Sequence, residues 1–138
     1  NIGIVSLSED EFFASSGVRS SVEAARNALS DKIQYLTEFL GGEYEIQGAY
    51  PAWEYRKESP LRDKMVEVYE TMYGQKPEVV AIHAGLECGL FYKKIDGLDC
   101  VSLGPDMKDI HTSEEVLDIA STERVWKYLV KVLEELKD

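Results

Sequence analysis

The apolar positions in the first fifty residues change between extended and helical spacing. Residues 1–8 and 11–20 predict two strands joined by a tight turn. The S-x-x-E pattern of Ser20 and Glu23 is typical of a capping box at a helix N-terminus. The following helix is apolar on one face. That face comprises Val22, Ala25, Leu29, Ile33, Leu36 and Leu40, and Gly41-Gly42 ends the helix.

A third strand is predicted over residues 44–50, where apolar and polar residues alternate. The order strand, strand, helix, strand predicts most of a small α/β sandwich. The segment 51–58 breaks this pattern, and we place a domain boundary there. The chain is therefore expected to divide into residues 1–55 and 56–138.

The second part of the chain alternates helices with short apolar runs. A helix is predicted to begin at Ser59-Pro60, because proline is tolerated at the first helical position. Gly74 ends this helix. Residues 79–82 and 98–103 predict two buried strands, joined by a segment that contains a short helix. A last helix is expected over residues 122–137. This order predicts the end of a mostly parallel sheet, and hence an α/β fold.

Composition excludes several classes of partner. The 138 residues carry a net charge of −11, whereas nucleic acids and anionic membrane surfaces require basic patches. No apolar run reaches the length of a membrane span. Cys88 and Cys100 form no CxxC pair, and two such thiols in an acidic chain favour a reducing, cytoplasmic location over a disulfide. We therefore expect no nucleic-acid partner and no membrane partner.

Chemically useful side chains follow the two predicted strands of the second part. His83 and Glu87 follow the first of these strands, and His111 follows the second. Ligands of α/β proteins bind at the carboxyl ends of strands, and an imidazole there can bind a metal. A lone loop histidine is nevertheless more often structural or merely exposed, and a carboxylate such as Glu87 can simply stabilise a helix start. His83 is interpreted as a structural histidine.

Two sequence segments resemble a known enzyme family. HAGLECGLF and GPDMKDIHTSEE are similar to the C-terminal part of the aminoacyl-histidine (Xaa-His) dipeptidases, a branch of the dizinc peptidases that includes carnosinases. The resemblance extends over the whole chain. It implies that residues 1–55 are part of a lid and dimerisation domain, and that residues 56–138 are the C-terminal part of a catalytic domain. The chain would thus be a fragment of a longer enzyme.

The resemblance assigns roles to five residues of this sequence. It implies that His111 is a zinc ligand and that Arg19 grips the terminal carboxylate of a dipeptide, a task that suits a two-pronged guanidinium. It places Glu87 beside the amino end of the substrate. Gly89 would let its backbone N–H approach the ligand, and Asn1 would contact substrate near the scissile carbonyl.

The remaining catalytic groups of the family have no counterpart in the sequence. The intact enzymes hold two zinc ions per active site, which activate the attacking water. Their H-x-D and Glu-Glu-Gly segments are absent here, and the resemblance gives Asp106 and Asp109 no ligand role. We therefore expect no catalytic residue in this chain, little or no activity of the chain alone, and no stably bound zinc.

Two other functions remain open. The chain can be a non-enzymatic α/β module for self-association or partner binding, or its parent can be a zinc aminopeptidase or deacylase with another substrate. A sheet separated from its neighbours exposes an unpaired edge and apolar surface, so we expect a homodimer or other self-association. The chain opens at Asn1 without a methionine, which favours a piece of a longer protein.

Overall fold

A computed structural model describes residues 1–82 and 87–137 of the chain. These residues combine helices with small sheets, which confirms the predicted mixed α/β class. The elements in chain order are β1 (Ile2–Leu7), β2 (Phe12–Ser16), α1 (Glu23–Phe39), α2 (Pro60–Tyr73), α3 (Glu87–Lys94), β3 (Met107–Lys108), β4 (Val116–Leu117) and α4 (Ile119–Glu135).

The chain divides into two compact units. The first comprises Asn1–Tyr55 together with Val80–Asp96, and the second comprises Arg56–Val79 together with Gly97–Asp138. The first unit therefore contains β1, β2, α1 and α3, and the second contains α2, β3, β4 and α4. The assignment of residues 1–55 to a lid and of residues 56–138 to a catalytic domain stays a prediction.

The predicted hairpin at the start of the chain is confirmed. β1 and β2 pair antiparallel, with Leu7 opposite Phe12 next to the turn. The Ser8 main-chain N–H donates to the Glu11 carbonyl oxygen at 2.8 Å, and the Ser8 hydroxyl oxygen accepts from the Glu11 N–H at 3.0 Å. A short polar residue that can bind the backbone locally thus closes the turn.

Helix α1 forms where the sequence predicts it, but the predicted capping box is wrong. The Ser20 hydroxyl oxygen accepts from the Val22 N–H at 3.0 Å, one residue before the helix starts. The Glu23 N–H instead donates to a carboxylate oxygen of Glu54 at 3.0 Å. A side chain distant in sequence therefore satisfies a first-turn donor that the local pattern assigned to Ser20.

The predicted strand over residues 44–50 is wrong. Gly48 has a φ of 62°, a left-handed conformation that interrupts an extended strand. The Tyr44 hydroxyl lies 2.7 Å from the Ser30 hydroxyl of α1. This segment is therefore an irregular connection that lies against the helix.

The strands predicted over residues 79–82 and 98–103 are also wrong, and so is the mostly parallel sheet. A strand requires a neighbour to pair its backbone, and no described segment pairs with either run. The Gly97 and Leu98 carbonyl oxygens instead accept from the guanidinium of Arg56 at 3.0 and 3.2 Å. Both sheets in the described ranges are two-stranded and antiparallel.

The second unit is built on the packing of α2 against α4. Its buried core consists of Met65, Val68, Tyr128 and Val132. The Tyr128 hydroxyl donates to the Met65 carbonyl oxygen at 2.7 Å, so its polar end is satisfied within the core. The predicted start and end of α2, at Ser59-Pro60 and Gly74, are confirmed.

Helix α4 begins three residues earlier than its predicted start. Asp118 is its N-cap, and its carboxylate accepts from the Ser121 N–H. The short hairpin of β3 and β4 just before it was not predicted. Within the part of the chain that the structure describes, no helix has the length and apolar character needed to cross a bilayer.

Candidate functional site

The β3–β4 hairpin presents His111 in its connecting loop. Two residue pairs, Met107 with Leu117 and Lys108 with Val116, form the frame of this hairpin. The Asp118 N–H donates to the Asp106 carbonyl oxygen at 3.0 Å and extends the frame by one further bond. The loop therefore starts and ends at fixed points.

The hairpin is also attached to helix α4. The Asp106 N–H donates to the Ser121 hydroxyl oxygen at 2.8 Å, and that hydroxyl is buried. The Asp106 carboxylate lies 3.4 Å from the guanidinium of Arg124 on the same helix. Asp106 thus serves to dock the hairpin onto α4.

Two residues of the loop adopt a left-handed backbone without being glycine. The φ angle is 52° at Asp109 and 69° at His111. This region is uncommon for residues other than glycine, although aspartate and histidine adopt it more often than most others do. Such strain persists only where surrounding contacts determine the conformation.

Hydrogen bonds within the loop supply those contacts. The Asp109 carbonyl oxygen accepts from both the N–H and the hydroxyl of Thr112, at 3.2 and 2.6 Å. The His111 N–H donates to a carboxylate oxygen of Glu115 at 2.8 Å. The backbone on both sides of Ile110 is therefore fixed, and the His111 side chain is exposed.

An exposed imidazole can bind a metal, but the described residues offer it no companion ligands. Within residues 1–82 and 87–137, no three or more His, Cys, Asp or Glu side chains are grouped so that they could hold a metal ion. Structural and catalytic zinc sites use at least three protein ligands. The described residues alone therefore do not fit a zinc site.

Asn1 and Arg19 lie near the same end of the β1–β2 ribbon. The Asn1 main-chain nitrogen donates to the Gly17 carbonyl oxygen at 2.9 Å, and the Gly17 N–H donates to the Asn1 carbonyl oxygen at 2.8 Å. Arg19 follows two residues later. Its side chain is exposed and makes no hydrogen bond or ion pair with the described part of the chain. Its guanidinium is thus available for an anion.

Glu87 and Gly89 both lie on α3. Glu87 is an exposed carboxylate in the first turn, where it complements the helix dipole. Gly89 is buried, and a Cβ at this position would lie 3.0 Å from the Pro51 carbonyl oxygen and 3.5 Å from the Trp53 Cβ. Close packing against the segment that follows α1 thus explains the glycine, a reason that the sequence did not reveal.

The predicted site residues fall into two groups. Asn1, Arg19, Glu87 and Gly89 belong to the first unit, and His111 belongs to the second. Their roles towards metal and substrate stay predictions. His83, interpreted from the sequence as structural, lies outside the described residues.

One residue of the site escaped the sequence analysis. Glu115 is the carboxylate that binds the His111 main chain, yet in the sequence it is only one of two adjacent glutamates. A separation of four residues lets a loop side chain return to a main-chain N–H, and this spacing is the signal that was available.

Comparison with known proteins identifies relatives of the chain. No protein-family model matches it. It is 31% identical over 136 residues to the cytosol non-specific dipeptidase of Escherichia coli, a match that covers 99% of this chain. The crystal structure of aminoacylhistidine dipeptidase from Vibrio alginolyticus superposes with a TM-score of 0.68 at 35% identity, over 84% of this chain. The chain is related to these dipeptidases.

This relationship confirms the predicted resemblance to the aminoacyl-histidine dipeptidases. The chain spans only 28% of the length of the Escherichia coli dipeptidase and 24% of the Vibrio alginolyticus chain. It therefore aligns with only a part of each of these two dipeptidases, and the remaining portion of each relative has no counterpart in this sequence.

Proposed function

We propose that this chain is part of a cytoplasmic zinc-dependent dipeptidase that hydrolyses Xaa-His-type dipeptides. The observation that carries the proposal is the hairpin that holds His111 in a strained backbone, in a chain related to dipeptidases over nearly its full length. Strained conformations concentrate at functional sites. The imidazole at this position is the metal ligand that the resemblance implies.

The zinc site would require ligands from outside this chain. His111 supplies one of the ligands that zinc takes, and the described residues do not group the others around it. We propose that polypeptide equivalent to the remaining length of the relatives supplies them. When bound, zinc would lower the pKa of a water molecule and make it a nucleophile for the peptide carbonyl.

Substrate binding is the proposed role of the first unit. Arg19 would bind the carboxylate end of a dipeptide through two parallel hydrogen bonds, because its guanidinium is exposed and has no partner among the described residues. Glu87 would pair with the ammonium end of the dipeptide. Asn1 and the Gly89 backbone would lie along the substrate, as the resemblance implies.

The decisive experiment uses the complete protein encoded by the reading frame that contains this chain. With zinc and a β-alanyl-histidine dipeptide, we expect hydrolysis by the complete protein and little or none by residues 1–138 alone. His111→Ala in the complete protein should abolish hydrolysis, whereas Lys108→Ala, an exposed change three residues away, should not. Zinc-independent hydrolysis, or full activity of His111→Ala, would contradict the proposal.

Self-association is a second proposed property. The β1–β2 ribbon exposes apolar side chains on both strands, including Leu7 at 77% and Phe12 at 68% of their surface. Exposed apolar strands without a covering layer favour association with another polypeptide. A second copy of the chain is the partner we propose.

A further inference from the structure

The backbone of His111 requires a stabilising contact that its own side chain does not supply. Its φ of 69° is a conformation that glycine or asparagine adopts more readily than histidine. A residue in this state returns to an ordinary conformation unless a specific contact prevents it. The nature of that contact therefore decides where the imidazole points.

The contact comes from Glu115. Its carboxylate oxygen accepts from the His111 N–H at 2.8 Å, and its own N–H donates to the Thr112 carbonyl oxygen at 3.3 Å. Glu115 thus closes the loop with its main chain and holds the strained residue with its side chain. A hydrogen bond to an ionised acceptor is stronger than a bond between neutral groups.

The neighbouring glutamate does not share this arrangement. The Glu114 carboxylate accepts only from the Ser113 hydroxyl, at 3.3 Å, among the described residues. Both side chains are exposed and carry the same charge. Of the two carboxylates, only that of Glu115 contacts the His111 main chain, so Glu114 serves as the matched control.

We propose that Glu115 is a positioning residue for His111. Its carboxylate holds the main chain of His111 in the left-handed region and thereby sets the direction in which the imidazole leaves the hairpin. The consequence for metal binding rests on the proposed function, whereas the effect on the main chain does not. A zinc–nitrogen bond of about 2.0–2.1 Å tolerates little displacement of the ring, so loss of this contact should weaken metal binding without removing a ligand.

Amide hydrogen exchange of the metal-free chain tests the main-chain effect. In Glu115→Ala, the His111 amide should exchange about tenfold faster or more, as expected for loss of a hydrogen bond to a charged group. The three-bond coupling between its amide and α protons should also change, because this coupling depends on φ. Glu115→Gln retains an acceptor oxygen and should show a smaller effect. Glu114→Ala should behave like the unchanged chain.

Glu115→Asp provides a second test that retains the negative charge. Its side chain is one methylene shorter, so it should lose contact with the His111 N–H and exchange as fast as Glu115→Ala. If Glu115→Ala fails to fold, this variant decides the matter. Unchanged exchange and coupling of His111 in a folded Glu115→Ala or Glu115→Asp chain would overturn the proposal, as would an equal effect of Glu114→Ala.

Zinc titration of the complete protein separates this inference from the proposed function. The ring resonance that is lost in His111→Gln is assigned to His111. Addition of zinc should shift that resonance, and Glu115→Ala should require about tenfold more zinc for the same shift. A His111 ring that never responds to zinc would contradict its role as a zinc ligand, while the exchange data would still decide the role of Glu115. A response equal in all variants would refute the effect of Glu115 on metal binding.

Discussion

Replacement of Asp99 by alanine should destabilise the second unit, because the Asp99 carboxylate accepts two hydrogen bonds at the start of α2. The Ser59 hydroxyl donates to one Asp99 carboxylate oxygen at 2.6 Å, and the Leu61 N–H donates to the other at 2.9 Å. Ser59 in turn accepts from the Arg62 N–H at 3.1 Å, and the proline between Ser59 and Leu61 has no N–H to satisfy. Asp99 therefore completes the set of hydrogen bonds in the first turn of α2.

The expected loss of stability is estimated from these two hydrogen bonds. Each is made to an ionised acceptor and contributes about 1.5–3 kcal/mol in a buried setting. Asp99 is only half-buried, which lowers its contribution, but Ser59 is 3% exposed and its hydroxyl would lose its acceptor. We expect Asp99→Ala to lower the free energy of unfolding by about 2–3 kcal/mol. Asp99→Asn retains one acceptor oxygen and should cost about half as much.

Urea denaturation followed by circular dichroism measures this change. Asp96→Ala is the matched control, because Asp96 is exposed, carries the same charge and has no hydrogen bond or ion pair with the described part of the chain. Its midpoint should stay close to that of the unchanged chain. If the free energies of unfolding of Asp99→Ala and Asp96→Ala differ by less than about 0.5 kcal/mol, the hydrogen bonds to Asp99 do not stabilise α2 and the prediction is wrong.

The Asp99 carboxylate should also make the free energy of unfolding depend on pH. Partial burial opposes ionisation of Asp99, but the hydrogen bonds from Ser59 and Leu61 and the charges of Arg56 and Arg62 outweigh it, so the pKa of Asp99 lies below its ordinary value of 3.8. A depressed folded-state pKa gives stabilisation that is present above the unfolded pKa and is lost as the pH falls through the folded one. The difference in the free energy of unfolding between the unchanged chain and Asp99→Ala should thus be largest above about pH 4 and should decrease below it.

Three further predictions concern the site and the surface. His111→Gly should raise the free energy of unfolding by about 0.5–1 kcal/mol, because glycine adopts this φ without strain, whereas Gly74→Ala, at a φ of 70°, should lower it by a similar amount in the same urea assay. A lower stability of His111→Gly would mean that its backbone is not strained. In the complete protein, Arg19→Lys should raise KM for a dipeptide about tenfold with little change in kcat, and the effect should vanish for a dipeptide amide, which lacks the carboxylate. An equal effect on both substrates would exclude a carboxylate-binding role. The chain should self-associate in light scattering, and Leu7→Lys together with Phe12→Lys should reduce association, whereas a monomer at high concentration would contradict it.

The sequence predicted best those elements whose signals are local. The hairpin turn at Ser8 and the start of α2 at Ser59-Pro60 each contain a hydrogen bond between residues three apart, which a local sequence pattern can indicate, and both form as expected. The N-cap of α4 was missed because apolar periodicity placed the helix start at residue 122, although Asp118 supplies an equally local signal. At α4, the capping residue therefore locates the helix start better than apolar spacing does.

Other features could not be predicted because they depend on distant or rare geometry. Glu54 lies 31 residues from the N–H of Glu23 that it accepts from, so no local pattern indicates the pair. The left-handed backbone of His111 could not be predicted from the sequence, since few residues other than glycine adopt this conformation. The resemblance identified His111 as a candidate, but only the structure shows that Glu115 holds it.

The two apolar runs that were predicted as strands have no strand partner among the described residues. Residues 79–82 form no regular element, and Val80 exposes 62% of its surface, although the β-branched and apolar composition of the run is typical of a buried strand. A sequence can specify a strand while its partner strand belongs to another polypeptide segment, and the two relatives are several times longer than this chain. In the complete protein that we propose, another segment would pair with this run. A second copy of the chain would instead cover the exposed apolar side chains of the β1–β2 ribbon, so the pairing of residues 79–82 and the self-association of residues 1–138 are two separate proposals. Amide hydrogen exchange of residues 79–82 should be fast in the chain alone and slow in the complete protein. Equal exchange rates in both would show that no further segment pairs with this run.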